Sequence, residues 1–497
     1  MIHDESVTDG ERDLVIGRPA AVMAANSDHV VVVLDTIGST ERPRAVEVAL
    51  GLVEPEDADE QALAAYHAPT RQVIADAGID PARIVRVWDF TTRSAGDPTF
   101  RMHAMMDALA GAQDDLGVAF DAVTTVSNEN IAVIVRGRLT NAPSFLDADG
   151  FFVLDDAGIP QITGTADIPF RIMIPAGTGP YRVALYGHGT GGDMTDPLFD
   201  TELGGQGIAK LATRFDGWTG DDFVETLLGF GTYLQGSERS TAGLLQALAG
   251  STVLLSAMDG ALGDALAADM LGDEVNPAAG RRANTETVAW LGGSMGGTMG
   301  GVMVSADPRL RIAVLNVPGA GWTHMIPHSL LWGSGAGSMM KQTYGNDLDL
   351  QLAVVMGQGS WDEVDGGPWA DEAVAAGGVF LLQESMEDPI LPNLGSELLA
   401  NAFGAVQLEP ALSPVIGLES TDALVTDGAT LTQFWVPNTG QYDVHGFAAR
   451  DTPAGHAARD QILQFLTTSW AGSPEMQFPA GCAVTADGSC DFRGMWE

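Results

Sequence analysis

Lysine is nearly absent from this chain. Only Lys210 and Lys341 occur, so the rest of the 24 basic residues are arginines. Against 66 Asp and Glu residues the formal net charge is −42. A field of that sign repels phosphate backbones and sets nucleic acid aside as a partner. Charged residues are also few, at 18%, below the usual roughly 25%. Two readings of the acidity stay open: a surface suited to salty or extracellular conditions, or a GC-rich genome that disfavours lysine codons.

Cysteine is equally scarce. Cys482 and Cys490 stand in GCAVTADGSCDF, eight residues apart in a Gly/Asp-rich stretch. They either close a small disulfide ring, which implies an oxidising compartment, or remain two free thiols. A zinc site would need two more ligands, and none lies nearby, so no metal is expected. No apolar run reaches the roughly 18 residues of a membrane helix. The start, MIHDESVTDGERDLVIG, is acidic and lacks the apolar core of a signal peptide. No G-X-Y period, internal repeat or long low-complexity linker occurs, which excludes collagen and solenoids.

What is present is a packed, glycine-rich globular chain. Its 497 residues allow two or three domains, and hydrophobic residues make up 45%. Residues 29–36 (HVVVVLDT) and 84–92 (IVRVWDFTT) read as strands, with helical patterns at 55–78 and 99–113. We expect a small α/β domain over 1–120. Its His67 and His103 read as surface or packing residues. From 121 to 175, DAVTTVS, IAVIVRGRL, FFVLDD and DIPFRIMIP read as an antiparallel edge. DADG at 147–150 lacks the remaining ligands of a calcium loop and reads as a turn.

From 181 onward, apolar strands alternate with helical stretches: YRVALYG, IAKLATR, VAWLGG, RIAVLNV, VFLLQ and LTQFWVP. Such alternation predicts a parallel sheet covered on both faces, with ligands beyond the carboxyl ends of its strands. We expect this second domain over 121–475 and a tail with the cysteine pair over 476–497. Residues 321–370 hold many Trp and Met residues among glycines, either a cap over a pocket or a small core of their own. If a cap, Trp322 and Trp332 belong to the substrate pocket.

The chemistry should follow the strands. After VAWLGG comes GGSMGG, 292–297, a G-x-S-x-G at a strand-to-helix junction. A turn that tight needs neighbours almost without side chains, and it lifts the Ser294 hydroxyl above the sheet edge. After YRVALYG comes HGTGG, 188–192. A tetrahedral intermediate needs N–H donors for its oxyanion. Met295, the residue after the serine, offers one, and Thr190 or Gly189 the other, while His188 shapes the loop. The acid expected after VFLLQ is Asp388 in EDPILP, with Glu384 and Glu387 as rivals. The base expected after the last strand is His445 in VHGF. His456 is the rival but begins the final helix. Asp443 lies off the acid strand.

HGTGG, GGSMGG, EDPILP and VHGF together resemble the α/β-hydrolase superfamily over roughly 121–470. The segment HVVVVLDT…RIVRVWDFTTRS, followed by DIPFRIMIP, is similar to large secreted bacterial lipases and esterases of the virulence-factor-lipase kind. The resemblance implies carboxylic-ester hydrolysis by a Ser-His-Asp triad, without metal or organic cofactor. The substrate would be a small-molecule or polymeric ester, the location secreted or cell-surface, with no transmembrane segment. The same triad also serves peptidases and amidases, and the fold can act as a non-catalytic binding scaffold. The chain lacks the β-propeller repeats of prolyl-oligopeptidase-like peptidases.

Overall fold

The computed structural model describes residues 2–8, 13–38, 41–422, 427–437, 440, 442–476, 482, 484–485 and 488–493. The chain divides into two compact units, Met23–Asp97 and the remainder, Met1–Val22 with Pro98–Glu497.

The small unit pairs β1 (Asp28–Leu34) with β2 (Ile84–Thr91) antiparallel, Val31 opposite Trp88. Helices Arg44–Ala49, Ala58–Tyr66 and Ala68–Asp76 lie between the two strands in sequence. The expected helix over 55–78 is therefore two, parted at His67, and Asp57 caps the first by accepting from Glu60 N. Leu50, Ile74 and Ile84 form the core. The unit ends earlier than the expected residue 120. Helix Phe100–Ala110 buries Met102, Met105 and Leu109 in the core of the large unit instead.

The large unit is built on eleven strands. In chain order they are β3 (Gly117–Thr124), β4 (Ile131–Ser144), β5 (Gly164–Pro175), β6 (Tyr181–Gly187), β7 (Ile208–Ala212) and β8 (Ala283–Gly293). Then come β9 (Leu310–Asn316), β10 (Val379–Ser385), β11 (Val406–Leu408), β12 (Glu419–Thr421) and β13 (Gly428–Phe434). Their order across the sheet is β12-β11-β13-β10-β9-β8-β6-β7-β5-β4-β3. From β12 to β7 every pairing is parallel, and β5, β4 and β3 add the expected antiparallel edge. FFVLDD adds no strand: Phe152 and Leu154 form only isolated bridges. DADG is a turn, with Asp147 Oδ1 accepting from Asp149 N and Phe151 N.

Side chains alternate across the central strands, and both faces are covered. Trp290, Leu315 and Leu382 pack toward helices Tyr233–Met258 and Met295–Ala306, while Leu291, Val314 and Leu381 pack toward helix Pro453–Trp470. The helical stretch Phe223–Met258 is long and apolar enough by composition to cross a membrane, but 78% of its most apolar window is buried in the fold. A mostly parallel sheet in this order, flanked by helices on both faces, is the α/β-hydrolase fold. It brings the ends of β6, β8, β10 and β13 toward one edge of the sheet.

Candidate active site

The turn between β8 and the next helix is strained. Ser294 has φ 57° and ψ −122°, a conformation that costs a non-glycine residue energy and persists only where the surroundings impose it. The surroundings are close backbone. A Cβ on Gly296 would overlap the Gly187 carbonyl oxygen, and one on Gly292 would overlap Gly296 O. Ser294 N donates to Asn316 O at 2.9 Å, and Thr298 N donates to Ser294 O at 2.9 Å. The hydroxyl thus stands at the mouth of helix Met295–Ala306, and Met295 N lies in the first turn, where amides have no partner within the helix.

The loop after β6 comes close to this serine. A Cβ on Gly189 would fall 3.2 Å from Ser294 Cβ and 3.7 Å from its Oγ. His188 pins the loop from inside. Its Nε2 accepts from Phe215 N at 3.0 Å, which leaves Nδ1 to donate to Gly189 O at 2.8 Å. Both ring nitrogens are used, and burial lowers the pKa, so His188 is held neutral. Gly191 N donates to Trp218 O, tying the loop to the segment after β7.

Past β10, Asp388 has a buried side chain. Its Oδ1 accepts from Ile390 N at 2.8 Å and Leu391 N at 3.1 Å, and its Oδ2 lies 2.7 Å from His445 Nδ1. His445 comes from the loop after β13, with a side chain 12% exposed. Among the described residues nothing hydrogen-bonds its buried Nε2, Ser294 Oγ included. Catalytic hydrogen bonds are often long before substrate binds.

The rival residues sit elsewhere. Glu384 is fully buried and accepts from Gln433 Nε2 at 2.7 Å and Asn393 Nδ2 at 3.1 Å; burial pushes its carboxyl up to about 8. Asn393 Oδ1 in turn accepts from Glu387 N at 2.8 Å, on the turn that carries Asp388. His456 is 60% exposed and pairs with Asp451. Asp443 pairs with Arg450 at 2.8 Å. His103 meets Glu372 at 3.1 Å and His67 meets Thr70 at 3.2 Å.

Beside Ser294 lies a cavity that opens to solvent. Thr190, Ser294 and Met295 line it together with Trp322 and Trp332. The 321–370 segment also supplies Met325, Ile326, Met340 and Trp361. The other wall is Trp218, Phe223, Leu227, Phe230 and Tyr233, from the segment between β7 and β8. Sequence reading passed over that wall, although the aromatic spacing in WTGDDFVETLLGFGTY directly after a buried strand carries the signal. Cys482 and Cys490 are joined as a disulfide, and Cys490 packs with Phe434, Val444 and Phe447, next to His445.

No family model matches this sequence, and no curated protein matches it. Among solved structures, several esterases and peptidases align at low identity. An acetyl xylan esterase from a Thermoanaerobacterium species aligns at 13% identity and TM-score 0.45, over 74% of this chain and 93% of its own. An acylaminoacyl peptidase from Pyrococcus horikoshii aligns at 12% and 0.39, over 70% of this chain and 49% of its own. A glucuronoyl esterase from Teredinibacter turnerae aligns at 13% and 0.36, over 68% and 78%. At such values the chemistry has to be argued from this chain's own residues.

Proposed function

We propose that this protein is a serine hydrolase of carboxylic esters, with Ser294, His445 and Asp388 as its triad. The observation that carries this reading is the strained Ser294 turn on the same sheet edge as a His445–Asp388 pair whose other imidazole nitrogen is buried and, among the described residues, without a hydrogen-bond partner. Ser294 Oγ attacks the ester carbonyl as its proton passes to His445 Nε2. Asp388 holds Nδ1–H and stabilises the imidazolium that forms. Met295 N and the amide of Gly189 or Thr190 receive the oxyanion. As the C–O bond breaks, His445 returns the proton to the departing alcohol. Water then adds to the acyl-enzyme with His445 as base, releasing the acid and the serine. The disulfide supports a location outside the reducing cytosol, and the VWDFTT segment supports kinship with secreted bacterial lipases.

Ser294→Ala tests the assignment. It removes one hydroxyl and should leave folding intact. Loss of a serine nucleophile costs about 10⁶ in kcat. A variant that kept more than about 1% of wild-type p-nitrophenyl ester turnover would sink the triad, because a loss of about 10⁶ leaves no such residue. Fluorophosphonate labelling followed by peptide mapping should place the adduct on Ser294.

A further inference from the structure

We infer that the cavity beside Ser294 is an acyl site for an uncharged, apolar acyl group larger than acetyl. The inference rests on the ester-hydrolase reading and adds the substrate class. Among the described residues, no charged side chain lines the cavity. Several of its polar groups are already engaged within the fold. Thr298 Oγ1 donates to Ser294 O and accepts from Gly319 N, and Tyr233 OH accepts from Trp361 Nε1 at 3.1 Å. Trp322 Nε1 donates out of the lining to Val364 O at 3.2 Å. Most of the remaining lining is hydrocarbon and ring faces.

The rings form one continuous wall. Trp322 and Trp361 stack with centroids 4.5 Å apart, and Trp218 meets them at 6.0 and 6.5 Å. Clustered aromatics are stiff and offer flat apolar area. Opposite chemistry comes from Met295, Met325 and Met340, whose unbranched thioethers adapt to differing chain shapes. An acetyl group would leave most of this surface uncovered. A carboxylate on the acyl group would be stripped of water with no cation to meet it, in a protein of net charge −42. Each methylene buried here should instead raise kcat/KM about threefold to fourfold until the cavity is filled.

The test uses the purified full chain and p-nitrophenyl acetate, butyrate, hexanoate and octanoate, with the hemisuccinate ester as the charged comparison. We expect kcat/KM to rise over the first steps of the series and the hemisuccinate to fall well below hexanoate. Trp361 is fully buried, and its removal could unfold the chain. The variant chosen is therefore Ala336→Phe, which places a ring in the lining and should lower the octanoate-to-acetate ratio at least tenfold (on the order of two or three buried methylenes). Acetate as the best substrate, a flat series, or hemisuccinate cleaved as fast as hexanoate overturns the acyl-site inference, while Ser294-dependent turnover keeps the hydrolase reading. No cleavage of any ester, with no fluorophosphonate adduct on Ser294, removes the reading and this inference together.

Discussion

At the residue scale, the choice of base turns on hydrogen-bond partners. His445 Nδ1 meets a buried carboxylate, whereas His456 pairs with Asp451 on the surface. His445→Ala should lower kcat by at least about 10³, and His456→Ala should leave kcat within about twofold, since its surface pair is of the kind worth little. The reverse pattern in steady-state kinetics would reassign the base. A second residue carries charge inside the fold. Lysine is rare here, and one of its two copies, Lys210, is fully buried. Its Nζ donates to Asp196 O and Leu198 O at 2.6 Å and lies 2.8 Å from Asp200 and 4.6 Å from the Tyr186 ring centroid. Lys210→Met strips these acceptors of their donor and should destabilise the protein by about 3–5 kcal/mol, read by urea denaturation. A loss below about 1 kcal/mol would show that Arg171, which also pairs with Asp200, carries the charge alone.

At the element scale, six strands after residue 181 were legible because each is a short apolar run followed by glycine, proline or an acidic turn, whereas β11 and β12, three residues each, were not read. GGSMGG was legible for a steric reason, the contact of Gly292 and Gly296 with neighbouring backbone. Other features are long-range and leave no local trace. Phe100–Ala110 reads as part of an alternating N-terminal unit, but Met102 and Met105 find their partners in the large core. The aromatics of WTGDDFVETLLGFGTY mark an apolar face, but not the segment about a hundred residues later that it meets. The cysteine pair was legible only as an alternative between ring and thiols. The disulfide closes a ring within the tail, whose Cys490 packs in the cluster that holds Val444, and Trp435 N donates to Cys490 O at 3.0 Å. Replacing both cysteines by serine should cost about 2–3 kcal/mol by the chain-entropy account. It should also reduce kcat more than it raises KM, since the loosened tail packs through Cys490 against Val444 and Phe447, the residues on either side of the His445–Gly446 pair. Unchanged kcat with lowered Tm would confine the ring to stability.

At the scale of the whole molecule, acidity acts twice, on the surface and inside. Asp365 is fully buried at the start of helix Gly366–Ala375, where it accepts from Gly321 N at 2.6 Å, Gly367 N at 3.0 Å and Trp322 N at 3.2 Å. Burial, with the charge of Asp362 behind it, pushes its carboxyl up to about 7, and burial pushes Glu384 up to about 8. In the unfolded chain both would titrate near 4. Between about pH 4 and pH 8 the folded state therefore holds protons that the unfolded state has released. Stability is fullest below that window and falls as pH rises through it. The −42 surface adds self-repulsion that also grows as carboxylates ionise. Salt separates the two contributions, because exposed charges are screened within a Debye length of about 8 Å at physiological ionic strength and buried carboxyls are not. Calorimetric Tm should fall from pH 5 to pH 8 at low salt. Added 1 M sodium chloride should raise Tm at pH 8 more than at pH 5, yet leave part of the decline in place. A decline abolished by salt would assign it to the surface alone, and a Tm that rises from pH 5 to pH 8 would contradict the protonation of Asp365 and Glu384.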